Sequence, residues 1–112
     1  MNVLEVAKAL SLSVVVPGEG ESREIKGIYC CDLLSIVMGR AKPNDAWITV
    51  MSNVNAIAVA VLADISCIIL SEGMAFDKAC IERAEMEGVC VLSSDLPTFE
   101  LSRKIDSLLK LS

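Results

Sequence analysis

"AWITVMSNVNAIAVAVLADISCIILSEG", residues 46–73, decides the fold. It opens as a β-branched and aromatic strand, AWITVM, and passes through the polar turn Ser52–Asn55. It then continues as AIAVAVLAD, a helix-length run that is apolar almost all round, which predicts burial on more than one side. SCIILS follows, short and continuously apolar, as suits a strand covered on both faces. Strand, helix and strand in this order call for a crossover connection and a parallel pair. The uncharged run 46–63 reaches the length of a membrane span, but Ser52, Asn53 and Asn55 lie in its middle, where hydrocarbon penalises them most. Buried strand, polar turn and buried helix explain it better.

Toward the C-terminus, EGMAF is a turn, and Asp77 opens a helix that runs to Glu87 and stops at Gly88, a favoured residue just past a helix end. VCVLSS, 89–94, is the last strand. Ser94 or Asp95 then caps the final helix, with Pro97 in its first turn and Leu101, Ile105 and Leu108 on its buried side. Toward the N-terminus, Gly, Pro and Asn interrupt 39–45. Asp32 is expected to cap a short helix, LLSIVMGRA, with Leu33, Ile36 and Val37 inward. Ile25–Cys31 and Ser13–Val16 read as strands. Asn2 and Glu5 make a capping-box pair for a first helix whose apolar face holds Val3, Leu4, Ala7 and Leu10. The expected fold is a single α/β domain over 1–112, three layers α/β/α around a largely parallel sheet. The front half is less regular and leaves a mixed sheet open.

A chain of 112 residues holds one core rather than two. With 54% hydrophobic residues and a mean hydropathy of +0.57, it carries more aliphatic surface than so small a core needs. A face buried against a second subunit is therefore expected, making a homodimer. The net charge is −5 and no segment clusters Lys or Arg, which argues against nucleic acid and against anionic membrane surfaces. Glu5 and Lys8 interrupt the first apolar stretch and no basic region precedes it, so a signal peptide is not expected and the reading is cytoplasmic. The five cysteines are odd in number, form no C-x-x-C, and have no histidine beside them. No zinc set is legible, so they read as small core hydrophobes kept reduced, with no metal or cofactor expected. Cys30 and Cys31, adjacent on a strand, point to opposite faces, one toward the core and one available to react.

VVVPGEGESREIKG, residues 14–27, has the opening of a phosphate-cradling turn. A dinucleotide site needs a third glycine and then a helix, whose N-terminus meets the pyrophosphate. Here Arg23 stands in the glycine's place, a strand follows, and Glu19, Glu21 and Glu24 would repel an anion. No P-loop motif occurs either. The turn reads as a connection between strands. Ligands of open α/β sheets collect beyond the strands' carboxyl ends. Four polar clusters should lie there: Asp32 and Ser35; Ser52, Asn53 and Asn55; Ser71, Glu72 and Gly73; Ser93, Ser94 and Asp95. Each also reads as a cap or turn, and only their convergence in space would make a pocket. Without histidine there is no Ser–His or Cys–His pair, and no catalytic residue is assigned. Asp32, Glu72 and Asp95 could hold a metal for phosphoryl transfer only if the fold gathers them.

The segment GIYCCDLLSIVMGRAKPNDAWITVMSNVNAIAVAVLADISCIILSEG, 27–73, together with VCVLSSDLPTFELSRKI, 89–105, resembles the DRTGG domain in its small stand-alone form. Tyr29, Asp32-Leu33-Leu34-Ser35, Val37-Met38, Trp47-Ile48-Thr49, Asn55 with Ala58-Val59-Ala60, and Ile68-Ile69-Leu70 carry the likeness. The resemblance implies an α/β fold like the N-terminal domain of HPr kinase. It also implies a regulatory or dimer-forming role, as in related domains beside CBS domains of regulated pyrophosphatases and ahead of phosphotransacetylase catalytic domains. Where the family has Asp-Arg, this chain runs through Ser52-Asn53-Val54-Asn55, and Ser71-Glu72-Gly73 stands for Thr-Gly-Gly. Losing the arginine removes the cation best suited to an anionic ligand and weakens the case for inherited nucleotide binding. The expected function is a non-catalytic regulatory module, a homodimer that takes a partner protein or small metabolite at the strand-end loops. The alternative is an accessory component or small enzyme of phosphoryl-transfer metabolism, using the strand-end carboxylates with a metal.

Overall fold

The computed structural model describes residues 1–111. The deciding stretch forms β3 (Asp45–Thr49), α3 (Val54–Leu62) and β4 (Cys67–Leu70), with β3 and β4 parallel and buried along their whole length. The same unit repeats on either side. Before it come β2 (Gly27–Cys30) and α2 (Leu34–Arg40); after it come α4 (Lys78–Glu87) and β5 (Val91–Ser93). α1 (Val3–Ala9) and β1 (Ser13–Val16) precede the repeats, and α5 (Thr98–Leu111) follows them. The sheet has five strands in the order β1-β5-β4-β3-β2, parallel from β2 to β5, with β1 antiparallel beside β5. It is mixed, and its irregular strand comes from the front half.

Each crossover steps one strand along in the same direction, so the right-handed rule puts α2, α3 and α4 on one face. Period-two alternation then divides the core. Trp47, Ile68, Leu70 and Val91 pack under those three helices, while Ala46, Ile48, Ile69 and Leu92 pack under α1 and α5. This is the three-layer arrangement that the pattern of elements implies.

The caps follow expectation at two helices. Asn2 and Glu5 close the capping box of α1, Asp77 caps α4, and Gly88 ends α4 with φ +71. Other expectations are corrected. Asp32 does not cap α2; Leu33 occupies that position without a side-chain bond. Of the three residues expected inward on α2, only Val37 is buried, whereas Leu33 is 58% exposed and Ile36 also meets solvent. Leu34, Val37 and Ala41 form the face that packs on the core, and Leu33 and Ile36 lie beside it. Neither Ser94 nor Asp95 caps α5. The Thr98 N–H that opens it donates instead to Glu72 Oε2, from the β4–α4 loop, at 2.9 Å. α3 is also less enclosed than expected, with Val54, Val61 and Leu62 exposed on its outer face.

The strands are shorter than their apolar runs, chiefly at β2. Ile25 is buried but lies before it, held by its N–H to the Met1 carbonyl at 3.3 Å. The Gly-Glu-Gly turn connects β1 to that segment and packs on the entry to β5. A Cβ at Gly18 would come within 2.6 Å of the Gly88 carbonyl oxygen, so the glycine permits a close backbone approach. No helix among the described residues is long and apolar enough to cross a membrane.

Candidate functional site

The carboxyl ends of β2 to β5 gather the polar clusters on one rim of the sheet. Most of their groups face one another. Asp32 Oδ1 accepts from the Thr49 hydroxyl at 2.7 Å and from the Val50 N–H at 3.0 Å, tying the loop after β2 to the end of β3. Thr49 Oγ1 accepts in turn from the Met51 N–H at 3.1 Å. Asn53 Oδ1 caps α3 by accepting from the Ala56 N–H at 3.3 Å. The Cys80 thiol donates to the Ser52 carbonyl at 3.3 Å, joining this loop to α4.

The next two loops interlock. Ser71 is fully buried, its hydroxyl 2.7 Å from that of Thr98. Glu72 and Gly73 both adopt positive φ, +60 and +71, and this turn aims their N–H groups at the carbonyls of Leu96 and Ser94, at 2.9 and 3.0 Å. The Glu72 carboxylate reaches the start of α5, and Ser94 Oγ accepts from the Leu96 N–H at 3.1 Å. Asp32, Asn53, Ser71, Glu72 and Ser94 are thus engaged within the fold. Ser35, Asn55 and Asp95 make no hydrogen bond with their side chains among the described residues.

A cavity of about 460 Å³ opens on this rim. It brings together Gly73, Ser93, Ser94 and Asp95 of the predicted clusters with Ser11 and Ser13. Asp32, Ser35, Asn53, Asn55, Ser71 and Glu72 lie outside it. Its walls hold one carboxylate and no Lys or Arg, so it offers hydroxyl and carboxylate groups to a ligand and nothing cationic to a phosphate. Ser11 and Ser13 were not among the sequence candidates, because only the antiparallel return of β1 beside β5 carries them to this rim. The carboxylates of Asp32 and Glu72 are bonded at separate loops while Asp95 lines the cavity. Among the described residues no group of three or more Cys, Asp or Glu side chains is placed to hold a metal ion.

The opposite end of the sheet has a smaller cavity, about 170 Å³, walled in part by the glycine turn's Glu19 and by Arg23. That guanidinium is already engaged: Nη1 pairs with the Asp64 carboxylate at 3.1 Å, and Nη2 donates to Asn44 Oδ1 at 3.0 Å and to the Asp64 carbonyl at 2.8 Å. The turn holds the chain together there.

All five cysteines are free. Burial pushes the Cys67 thiol well above its ordinary range and raises Cys90 to about 11. Cys80 is raised by burial first and then by its contact with Asp77. Cys30 and Cys31 point to opposite faces. Cys30 is exposed, its sulfur 3.1 Å from the Ser102 hydroxyl of α5, and Cys31 packs at the edge of the core under α2.

The model of the DRTGG domain family matches residues 5–108. Among solved structures, the CBS and DRTGG domains of the regulatory region of Clostridium perfringens pyrophosphatase, complexed with the activator diadenosine tetraphosphate, resemble this chain with a TM-score of 0.69 at 15% sequence identity. The likeness covers 93% of this chain and 45% of that one, so this chain spans under half of the regulatory region's length. At that identity it is a likeness of fold. No curated protein matches.

Proposed function

The chain belongs to the DRTGG domain family, and from that premise we propose that it is a non-catalytic regulatory module over residues 1–112. It works as a cytoplasmic homodimer that takes a partner protein or a small metabolite. The observation that carries this reading is the outer surface of α2 and α3. Leu33, Ile36 and Met38 on one helix and Val54, Val61 and Leu62 on the other are exposed, and the two helices lie side by side. α3 bears no charged residue and α2 only Arg40 at its end. A two-fold interface sets a patch against itself, so a patch nearly free of charge meets little self-repulsion even in a chain of net charge −5. This surface supplies the apolar excess that the composition required.

The serine-lined cavity beside Asp95 is the metabolite site in this reading. Its lack of cations favours an uncharged or amino-bearing ligand over the polyphosphate activator found with the pyrophosphatase region. The dimer is tested by light scattering at tens of micromolar. Wild type is expected to run as a dimer, and Ile36→Glu with Leu62→Glu as a folded monomer by circular dichroism. A wild-type monomer at that concentration removes the α2–α3 reading. A thermal-shift screen of nucleotides with Mg²⁺ against uncharged and amino metabolites tests the cavity, and stabilisation must weaken in Asp95→Asn.

A further inference from the structure

The two edges of the sheet are built differently. At β1 the register slips between Val14 and Val16, a bulge of the kind that turns an edge away from further pairing. β2 keeps an unbroken register against β3, and its outer rim meets no strand among the described residues. Its sequence, Gly-Ile-Tyr-Cys, contains no proline and no charge.

A cavity flanks β2 on each face. On the α2 side, one of about 420 Å³ is walled by Lys26, Tyr29, Arg40 and Lys42. On the α5 side, one of about 340 Å³ is walled by Ile28, Phe99, Ser102, Arg103 and Asp106; Phe99 is 75% exposed. Arg23, Lys78, Arg83 and Lys110 have carboxylate partners, whereas Lys26, Arg40, Lys42 and Arg103 beside this edge, like Lys8 and Lys104 elsewhere, have none among the described residues. The acids in the two cavities are otherwise engaged, Asp45 with the Lys42 N–H at 2.8 Å and Asp106 with Lys110. Four cations of an acidic chain thus stand beside its open edge without an ion-pair partner among the described residues.

We propose that β2 is a docking edge for an extended acidic segment of a partner protein, which adds to the sheet as a further strand. Backbone groups along the rim supply the pairing, and side chains of an added strand alternate between the two faces. The cavities then ask for alternate residues: carboxylates toward Lys26, Arg40 and Lys42, and an aliphatic or aromatic residue toward Ile28 and Phe99. Edge lysines deter pairing between copies, and here they select the charge of what docks. A second copy of this chain does not fit, because β2 against β2 sets the same cations facing one another. The proposal is independent of the α2–α3 dimer and stands if the chain proves monomeric.

The test is fluorescence anisotropy with a labelled synthetic peptide of about eight residues alternating Glu and Val, beside a Lys–Val peptide of the same pattern. The acidic peptide is expected to bind, more weakly as salt rises, and to slow amide exchange at residues 27–30; the basic one is not. Lys26→Glu with Lys42→Glu should weaken binding about tenfold while leaving the unfolding midpoint in place. Equal binding of both peptides, no binding at concentrations on the order of hundreds of micromolar, or protection away from β2 overturns the proposal. So does pyrophosphate binding at the same lysines when the peptide leaves residues 27–30 unprotected, since the cavity is then an anion pocket. Release of the chain's own dimer by the peptide also overturns it, because the edge is then the self-interface.

Discussion

The carboxyl-end rim of the sheet and the outer edge of β2 both carry polar groups, and they use them in opposite ways. At the rim, donors and acceptors close on each other: Asp32 on Thr49 and Val50, Ser71 on Thr98, Glu72 on the first N–H of α5. Along β2 the cations of Lys26, Arg40, Lys42 and Arg103 have no protein partner among the described residues. In a domain this small, polar residues at strand ends first hold loops in register, since any that were buried unpaired would cost stability. A group available for binding is one that the fold does not already use.

The sharpest way to break this comparison is to remove one group from each side. Asp32→Ala deletes the acceptor of two hydrogen bonds and leaves the Thr49 hydroxyl, on a residue only 1% exposed, without its acceptor. The expected loss is about 2 kcal/mol of unfolding free energy in urea titration. Lys26→Ala with Lys42→Ala, both exposed and unpaired, should change it by less than about 0.5 kcal/mol. Equal losses from the two variants would erase the distinction between rim and edge. A smaller effect is expected at Glu72, whose carboxylate caps a helix from another loop. Glu72→Ala should cost about 1 kcal/mol and speed amide exchange at Thr98, while Glu72→Gln, which keeps an acceptor oxygen, should recover much of both.

Much of the fold was legible because its signals are local and periodic. The run 46–73 announced β3, α3 and β4, and Asn2, Asp77 and Gly88 marked helix ends through their own backbone chemistry. Asp32 misled for a physical reason. It stands where an N-cap belongs, but its carboxylate meets Thr49 through a strand pairing that joins positions far apart in the chain. Glu72 as the cap of α5 was hidden in the same way. The rim cavity was partly legible: Gly73, Ser93, Ser94 and Asp95 follow from the strand-end rule, whereas Ser11 and Ser13 arrive only through the antiparallel β1. The cationic edge was missed because its residues, 26, 40, 42 and 103, form no cluster in sequence. The signal available was topological. Successive right-handed crossovers stepping one way leave the first parallel strand at an edge, and the cations flanking that strand could then have been compared with their possible partners.

The smallest effect tests the rim from its far side, at the cap of α4. Asp77 Oδ1 accepts from the Cys80 N–H at 2.9 Å, and that backbone bond to the ionised carboxyl holds its pKa below the ordinary 3.8. The folded state therefore favours the charged form. Its stabilisation is complete above the unfolded value and drains away as pH falls through the lowered one. Asp77→Asn keeps an acceptor oxygen but cannot titrate. The thermal midpoint of wild type should exceed that of the variant by a constant margin from pH 8 to about pH 5, and that margin should narrow below about pH 4 as pH falls through the lowered value. Other carboxylates titrate alike in both proteins and cancel from the difference. Because the group is fully exposed, water screens it and the margin is modest. A margin that persists unchanged at pH 2 would mean that the cap acts through shape alone, and that this part of the rim does not depend on charge.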